Sequence, residues 1–384
     1  MADRLDKMIG ETFLAMADGL STGSYAKKPR IAVTGLGSEL GEENVFQAAK
    51  AAAKEGIDVF YIGTMKDPGI TTIEAADDEE CHEKMEALLE EKRIDGAVTM
   101  HYPFPIGVST VGRVITPAKG REMFVAATTG TASTDRVEGM ILQAVYGIIA
   151  AKASGIQDPS VGILNVDGAR QTFSALEKLK EGGYPITFAS SGRSDGGSIL
   201  RGNDVLQGSA DVLVCDSLTG NILVKMLGAF MTGGNYEASG YGYGPGIGRD
   251  YDRLVMIVSR ASGTPVITGA IRYAASLIRN QVLTVAKREW QLAEQAGLSE
   301  ILQAKKTTQK SQVDDSVKPP EKEVVTAQIA GIDVMDLDDA VEVLWKHSIY
   351  AESGMGCTGP IILVSEENLE NATKELSESG YLNA

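Results

Sequence analysis

A cysteine in a glycine-rich segment near the end of the chain, Cys357, is the residue best suited to covalent chemistry. It lies in the sequence Gly-Met-Gly-Cys-Thr-Gly-Pro, directly before an apolar run. Glycine neighbours keep bulk away from the sulfur, and backbone N–H groups near Gly356 and Thr358 could stabilise a thiolate or the oxyanion of an attacked carbonyl. The pattern predicts a nucleophile that carries an acyl group. His347 is a possible base, but its place at the end of a predicted helix favours an exposed structural residue.

A serine and an arginine, Ser259 and Arg260, follow the apolar run Leu-Val-Met-Ile-Val and precede Gly-Thr-Pro. A hydroxyl and a guanidinium fork are well suited to phosphate oxygens. Arg193, in Ser-Ser-Gly-Arg-Ser-Asp-Gly-Gly, also follows a predicted strand and could add a second guanidinium. Both segments are predicted phosphate contacts, although the second could equally be an exposed loop.

The segment Cys-Asp-Ser-Leu-Thr-Gly-Asn-Ile-Leu-Val-Lys, residues 215–225, closes one predicted strand and begins a helix. Asp216 is expected at the strand end, Asn221 as the residue that caps the helix, and Lys225 one turn inside it. The free N–H groups of a helix start attract anions, so the segment predicts an anion-binding site. Cys215 ends an apolar strand and is interpreted as a buried core thiol.

Two glycine motifs have less specific interpretations. Residues 35–41, Gly-Leu-Gly-Ser-Glu-Leu-Gly, resemble a dinucleotide fingerprint with one residue too many, and the next strand does not end in the acid that a ribose needs. A plain strand–helix turn is favoured there. Residues 241–248, Tyr-Gly-Tyr-Gly-Pro-Gly-Ile-Gly, predict a loop, either a mobile cover over a substrate or a long connection.

Continuous apolar runs alternate with segments of helical periodicity along most of the chain. This alternation predicts an α/β fold with a mostly parallel sheet covered on both faces, and ligands beyond the carboxyl ends of its strands. The predicted strands are 30–35, 58–63, 96–100, 123–129, 160–166, 185–190, 210–217 and 253–260, and the predicted helices are 43–56, 77–92, 135–155, 169–182, 221–231 and 266–297.

Composition narrows the possible partners. The net charge of −16 disfavours nucleic acid and an anionic membrane surface, whereas a small anion can still bind to local cations. Three cysteines and three histidines without metal-ligand spacing argue against a zinc site and a disulfide framework, and fit a cytoplasmic protein. No signal segment or membrane span is expected.

A change of composition predicts the domain boundaries. Residues 1–303 form the predicted main domain, and the polar segment 304–323, with its Pro-Pro step, is a predicted exposed linker. Residues 324–384 form a small cysteine-bearing unit. About 60 residues is marginal for independent folding, so we expect this unit to dock on the main body or on a partner.

The main body resembles a known enzyme family at several segments. "VGILNVDGARQTFSALEKLKEGGYPITF" and "VLVCDSLTGNILVK" are similar to the phosphate acyltransferases of bacterial phospholipid synthesis, and Thr-Gly-Asn and Ser-Arg are similar to phosphate acetyl- and butyryltransferases. The resemblance implies a two-lobed parallel or mixed sheet of the isocitrate/isopropylmalate dehydrogenase type, a homodimer, and acyl transfer between a thioester and inorganic phosphate.

The whole chain, including the segment "ESGMGCTGPIILVSEENLENA", resembles the alpha subunit of protein C of the glycine/sarcosine/betaine reductase complex. That resemblance implies a small C-terminal α/β appendage, a thiolase-like large subunit and selenoprotein A as partners, and acetyl phosphate as product. No cofactor is implied, and inorganic phosphate is a substrate.

Departures from the acyltransferase pattern concern the base. No Asp follows Ser-Arg at the usual short distance, and "MHYPFPIGVSTVGR" replaces the Gly-Asn-Thr-Gly loop. A thioester carried by Cys357 would need neither a coenzyme pocket nor a base for a free thiol. Two alternatives stay open: a free-standing phosphate acyltransferase that uses coenzyme A or acyl carrier protein, and a non-catalytic scaffold subunit.

Overall fold

The protein is described by a computed structural model that covers residues 13, 16–17, 28–192, 196–303, 319–332, 336–356 and 359–382. The chain divides into two compact units, Met1–Ile301 and Leu302–Ala384, each with its own sheet and hydrophobic core. The predicted linker lies outside the described residues from 304 to 318.

The first unit is built on one large sheet. Its strands are short and mostly buried, as continuous apolar runs predict for a sheet covered on both faces. Among the described residues they are β1 Arg30–Thr34, β2 Asp58–Gly63, β3 Thr71–Glu74, β4 Gly96–Thr99, β5 Val108–Ile115, β6 Glu122–Thr131, β7 Ser160–Leu164, β8 Thr187–Phe188, β9 Ile199–Leu200, β10 Val212–Val214, β11 Gly244–Gly248 and β12 Val255–Ile257.

The sheet is mixed, with two parallel regions joined by an antiparallel centre. Its order is β3-β2-β1-β4-β12-β11-β5-β6-β10-β7-β8, and β9 pairs with β7. Strand β11 runs antiparallel to β12 and β5, and β5 runs antiparallel to β6. Because β1, β4 and β12 are parallel, the segments that follow them leave from the same edge of the sheet. The predicted α/β class is therefore confirmed as a large mixed sheet with helices.

Helices connect most of these strands. The apolar helix predicted over 135–155 is almost fully buried against the sheet, and the acidic helix predicted over 77–92 is capped by the Asp77 carboxylate. Among the described residues, the helices of the first unit include α1 Glu42–Ala53, α2 Asp78–Glu90, α3 Arg136–Ala153, α4 Ala169–Glu181, α5 Gly202–Gln207, α6 Ser217–Ala229, α7 Thr264–Arg279 and α8 Val282–Gln295, with a 3-10 turn at Phe230–Thr232.

Two predicted elements of the first unit are wrong. The helix predicted over 266–297 is broken into α7 and α8, because Gln281 adopts a left-handed conformation (φ 54°). The segment 241–248, predicted as a loop and a possible mobile cover, contains the buried strand β11. Glycine is required there by close packing: a side chain at Gly246 would overlap the ring of Phe104. Strands β3, β5 and β9 were not predicted.

The second unit is a small sheet covered by two helices. Strand β15 pairs antiparallel with both β13 and β14, and the buried side chains of Leu344, Ile362 and Leu376 lie in its core. This unit has a core of its own despite its size. Its elements are β13 Ala327–Ala330, α9 Leu337–Lys346, β14 Ala351–Gly356, β15 Gly359–Val364, the 3-10 turn Glu366–Asn368 and α10 Leu369–Glu378.

Helix α6 packs closely on strand β6 at Gly220. A Cβ at this position would overlap the carbonyl oxygen of Ala127 and approach the sulfur of Cys215. We expect Gly220→Ala to lower the free energy of unfolding by about 1–3 kcal/mol, because the overlapping atom belongs to the backbone of a central strand. Urea unfolding followed by circular dichroism measures the difference.

Gly139 provides the matched control. It is also buried in a helix, but the nearest atom to an added Cβ is 3.8 Å away. Gly139→Ala should be neutral or stabilising, since alanine favours a helix interior. Equal stability of the two variants would contradict the close approach of α6 to β6.

Candidate functional site

Strand β12 ends in a tight turn that begins helix α7. The N–H of Ser259 donates to Oγ of Ser262 (3.1 Å), and Oγ of Ser259 accepts from the N–H of Ala261 (3.1 Å). Gly263 precedes the helix, and a proline lies in its first turn, where no N–H is needed. The local sequence thus fixes the Ser259 hydroxyl at the carboxyl end of the strand, where it is 7% exposed.

The side chain of Arg260 is about half exposed, while its backbone is held in place. Its carbonyl oxygen accepts from the N–H of Glu39, in the glycine-rich turn after β1 (2.9 Å). Its guanidinium lies 3.4 Å from the Asp78 carboxylate, with both side chains substantially exposed. An ion pair this loose and exposed contributes little to stability, so an anion could replace Asp78 as its partner.

A buried carboxylate, Glu237, lies against the same turn and was not predicted. Its side chain is 2% exposed, and Oε2 accepts a hydrogen bond from the Ser262 hydroxyl (2.9 Å). Its N–H donates to the carbonyl of Ala261 (3.0 Å), and its carbonyl accepts from the N–H of Gly263 (2.8 Å). Oε1 has no hydrogen-bond partner among the described residues. A buried carboxyl oxygen without a donor is costly and typical of functional sites.

Burial raises the pKa of Glu237 above that of an ordinary glutamate. The hydroxyls of Ser259 and Ser262 and the positive charge of Lys225 act in the opposite direction, because each favours the ionised form. The negative charge of Glu39 raises the pKa slightly further. A carboxyl group tuned in this way can exchange a proton closer to neutral pH than a solvated one.

The start of helix α6 corrects one prediction. Asp216, not Asn221, caps the helix: its carboxylate accepts from the N–H of Thr219 (3.0 Å) and from the Thr219 hydroxyl (2.6 Å). Asn221 lies one turn inside, because the helix already begins at Ser217. Both residue types are good caps, but only Asp216 directly precedes the first turn of the helix. The Asp216 carboxylate is therefore engaged in hydrogen bonds with the first turn of the helix.

Asn221 and Lys225 are nevertheless connected to the serine turn. The Asn221 amide donates to the carbonyl of Thr128 (3.1 Å), and the Thr128 hydroxyl donates to the carbonyl of Tyr243 (2.7 Å). Burial and the charge of Glu237 raise the pKa of Tyr243 to about 12, and the hydroxyl of Ser259 lowers it. Lys225 is exposed, one turn beyond Asn221. Helix α6, strand β11 and the β12 turn thus meet at the buried glutamate.

Several predicted site residues lie outside the described residues: Arg193, Cys357 and Thr358. Gly356 is the last residue of β14, and its backbone pairs with Gly359 at the first residue of β15. His347 is exposed at the end of α9, where Nδ1 is 2.9 Å from the Val343 carbonyl and Nε2 is 3.3 Å from Glu375. These contacts agree with the interpretation of His347 as an exposed structural residue.

The other two cysteines are structural. Cys81 and Cys215 are fully buried, and burial raises the pKa of each thiol. The interpretation of Cys215 as a core thiol is confirmed. In the part of the chain that the structure describes, no cluster of histidine, cysteine or acidic side chains could hold a metal ion. Within the same residues, every helix is too short or too polar to cross a membrane.

A sequence signal for Glu237 existed. It is the only charged residue in the stretch Thr-Gly-Gly-Asn-Tyr-Glu-Ala-Ser-Gly-Tyr-Gly-Tyr-Gly-Pro-Gly-Ile-Gly, residues 232–248. A single acid among glycines and aromatic residues is expected to be buried or functional, because solvent-exposed loops usually carry several polar side chains. The missing aspartate after Ser-Arg gave a reason to search for such an acid elsewhere in the chain.

Comparison with known proteins identifies the family. A family model described as fatty acid synthesis protein matches residues 29–363. The glycine/sarcosine/betaine reductase complex component C subunit alpha of Peptoclostridium acidaminophilum is 54% identical over 381 residues, which are 98% of this chain and 99% of that protein. The chain belongs to this family of component C alpha subunits.

More distant similarities concern only parts of the chain or its overall fold. A phosphate acyltransferase of Bacillus cytotoxicus is 35% identical over 120 residues, which are 29% of this chain and 32% of that protein. The crystal structure of a branched-chain phosphotransacylase from Enterococcus faecalis V583 is 17% identical, with a TM-score of 0.45, and is matched over 65% of this chain and 99% of that chain.

The role of Asp216 as a cap can be tested by stability. Burial would raise the pKa of Asp216, but the hydrogen bonds from Thr219 outweigh it and lower the pKa. The stabilisation by this cap is therefore present at neutral pH and is lost as the pH falls through the lowered pKa. We expect Asp216→Ala to cost about 1–2 kcal/mol at pH 7 in urea unfolding, and less at pH 3.

Asp216→Ser keeps a side-chain oxygen at the cap and is the control, with a smaller expected loss. If the alanine variant were as stable as the wild type at pH 7, the capping role would be refuted.

Proposed function

We propose that the protein transfers an acetyl group from a protein-bound thioester to inorganic phosphate and so forms acetyl phosphate, within a glycine/sarcosine/betaine reductase complex. The observation that carries the proposal is the 54% identity to the component C alpha subunit over 98% of the chain, which includes both compact units. The partial similarity to a phosphate acyltransferase supports acyl transfer as the reaction class.

Phosphate binding is assigned to the turn after β12 and to helix α6. Ser259 supplies a hydroxyl, Arg260 a guanidinium with only a loose partner, and Lys225 a positive charge that acts on the neighbouring Glu237. Arg193 is proposed as a further guanidinium, and Asn221 as a residue that supports the site through its amide. Local cations of this kind bind an anion despite a net charge of −16, since screening makes close charges dominate.

Cys357 is proposed as the acyl carrier. A thiolate is a good nucleophile and a good leaving group when its surroundings lower its pKa, and N–H groups near Gly356 and Thr358 would stabilise the oxyanion. Phosphate oxygen attacks the thioester carbonyl, a C–O bond forms, and the C–S bond breaks. A built-in carrier requires no coenzyme, so inorganic phosphate is the only small substrate of this half-reaction.

The proposed partners are a thiolase-like large subunit of protein C and selenoprotein A, in the cytoplasm. The name of the Peptoclostridium relative describes that protein as one component of a multi-subunit complex. We retain the isocitrate/isopropylmalate dehydrogenase type as the proposed architecture of the main body, residues 1–303. Its two parallel sheet regions, joined by antiparallel strands, are compatible with two lobes.

A free-standing acyltransferase is the second candidate. The similarity to the Bacillus phosphate acyltransferase favours it, although the match spans only about a third of that protein. Such an enzyme would transfer its acyl group between phosphate and coenzyme A or acyl carrier protein, and would not depend on Cys357.

Arsenolysis tests the role of the cysteine. Arsenate replaces phosphate in such transfers, and the acetyl arsenate formed hydrolyses in water. We expect the purified full chain to consume acetyl phosphate when arsenate is present, and Cys357→Ser to lose at least about two orders of magnitude in rate, because an alcohol replaces the nucleophilic thiolate.

Cys215→Ala removes a buried thiol and should leave the rate near that of the wild type. Full activity of the Cys357→Ser variant would remove this cysteine from the mechanism. Stimulation of that variant by added coenzyme A would favour the free-standing acyltransferase.

An apolar face formed by helix α6 and the 3-10 turn Phe230–Thr232 that follows it supports the proposed homodimer of the main body. The face consists of large apolar side chains at helical spacing, and contiguous exposed apolar area of this kind marks interfaces. Its members are Leu218 (71% exposed), Ile222 (49%), Met226 (65%), Phe230 (63%) and Met231 (78%).

Two charges on this face should separate the protomers. We expect Met226→Glu combined with Phe230→Glu to convert a dimer into a monomer in light scattering, because buried carboxylates without partners oppose association. Leu206→Glu is the control, since Leu206 is exposed (45%) but lies on another helix. A wild-type chain that is monomeric at micromolar concentration would refute the proposed homodimer.

A further inference from the structure

Two buried glutamates of the first unit differ in how they are neutralised. Glu289 and Glu237 are each 2% exposed. Glu289 forms an ion pair with Lys152 (2.8 Å) and accepts a hydrogen bond from the Tyr184 hydroxyl (3.0 Å), so its charge is compensated as in a structural network. Glu237 makes no ion pair among the described residues. Its Oε2 accepts from Ser262, and its Oε1 has no hydrogen-bond partner there, although the Ser259 hydroxyl is near enough to favour the ionised carboxyl group.

The surroundings of Glu237 fix its position. Both its backbone N–H and its carbonyl are bonded to the turn that contains Ser259, at Ala261 and Gly263. On the opposite side, a Cβ at Gly228 of α6 would be 3.2 Å from the Glu237 Cγ, so the helix leaves little space for the side chain to move. The carboxyl group is therefore held beside Ser259 without the cation that would make it purely structural.

We propose that Glu237 orients the Ser259 hydroxyl towards bound phosphate and accepts a proton through it during acyl transfer. The inference rests on the proposed function, because it requires phosphate at the β12 turn. Glu237 acts through Ser259 and is thus a positioning residue that also holds a proton. It takes the place of the aspartate that does not follow Ser-Arg in this chain.

The proton balance of the step is complete without an external acid or base. Hydrogen phosphate dianion attacks the thioester carbonyl; its O–H proton passes to Ser259 Oγ while the Ser259 hydroxyl proton passes to the Glu237 carboxylate. The new C–O bond forms and the C–S bond breaks. The protonated Glu237 then returns its proton, again through Ser259, to the departing thiolate, so the products are acetyl phosphate dianion and a thiol.

The known hydrogen bonds of Ser259 and Glu237 leave the groups needed for this relay free. Ser259 Oγ accepts from the N–H of Ala261 (3.1 Å), so its own proton is free to point towards an acceptor. The hydroxyl of Ser259 contributes to the pKa of both Glu237 and Tyr243, and only the glutamate is a strong acceptor. Ser262, which donates to Oε2, keeps the carboxyl group in one orientation.

The pH dependence follows from the charges that face Glu237. These are Lys225 on α6, Glu39 after β1 and the Tyr243 hydroxyl immediately before β11. Tyr243 keeps its charge state through the neutral range, because its pKa is about 12. Burial raises the pKa of Glu237. The ionised, proton-accepting form is therefore lost as the pH falls through that raised value, and the rate should fall with it.

The test measures arsenate-dependent loss of acetyl phosphate by the full chain across pH, in Glu237→Gln, Glu237→Asp and Glu289→Gln. We expect Glu237→Gln to lose at least about 100-fold in kcat, with KM for arsenate changed less than about threefold, and to lose the acidic limb of the pH profile. Glu237→Asp should recover part of the rate and the limb, because it keeps a carboxyl group.

Stability separates a structural role from the proposed one. Glu237→Gln should unfold at the same temperature as the wild type or above it, because it removes a poorly compensated buried charge. Glu289→Gln should unfold at a lower temperature, because it leaves Lys152 without its partner, and should keep the wild-type pH profile.

Three results would overturn the inference. An active wild type with an unchanged rate and acidic limb in Glu237→Gln would overturn the role of Glu237 alone. A Glu237→Gln variant that loses rate and also unfolds at a lower temperature than the wild type, with the pH profile of its remaining activity unchanged, would show that the residue is structural. A wild-type chain that does not consume acetyl phosphate with arsenate would overturn the proposed function together with this inference.

Discussion

The structure of the candidate site depends on the attachment of Glu237 to the turn after β12. Two backbone hydrogen bonds and one from Ser262 join a segment that follows helix α6 to the start of helix α7. This attachment places a buried carboxyl group beside Ser259 and within electrostatic reach of Lys225. Without it, the residues of the site would belong to separate parts of the sheet, because β12 pairs with β4 while α6 follows β10.

The glycine-rich strand β11 makes this arrangement possible. It is inserted antiparallel between β12 and β5, and so joins the two parallel regions of the sheet. Side chains at Gly244 or Gly246 would overlap Val111 or Phe104, so glycine is needed at these two positions. Tyr243, immediately before β11, connects the Thr128 hydroxyl with the serine turn. The glycines are thus required by packing, and the mobile cover that they suggested is not needed to explain them.

Sequence patterns predicted the parts of the fold that depend on local apolar periodicity. Strand β2 was placed at the observed residues, and the predicted helices over 77–92 and 135–155 lie within two residues of the observed ends. The errors have identifiable causes. Strand β11 forms because of pairing with its neighbours in the sheet, which its own sequence does not show. The helix break depends on one left-handed residue, Gln281, and the helix predicted to begin at Asn221 is capped earlier, by Asp216. Cys357 and most of the predicted linker, residues 304–318, fall outside the described residues, so both stay predictions.

The site itself could be predicted only in part, because its central residue has no local motif. Ser259 was predicted from its position after a strand. Glu237 is recognised as a candidate only in the structure, where its buried carboxyl group has no ion-pair partner among the described residues. That lack fits the proposed chemistry. A lysine or arginine paired with Glu237 would lower the pKa of the carboxyl group and remove its ability to exchange protons near neutral pH. The neighbouring cations, Lys225 and Arg260, are exposed instead, where they can attract phosphate without neutralising the buried acid. In the proposed reaction, phosphate must be attracted by cations while the Glu237 carboxylate stays able to exchange a proton. A buried acid with exposed cations meets both requirements.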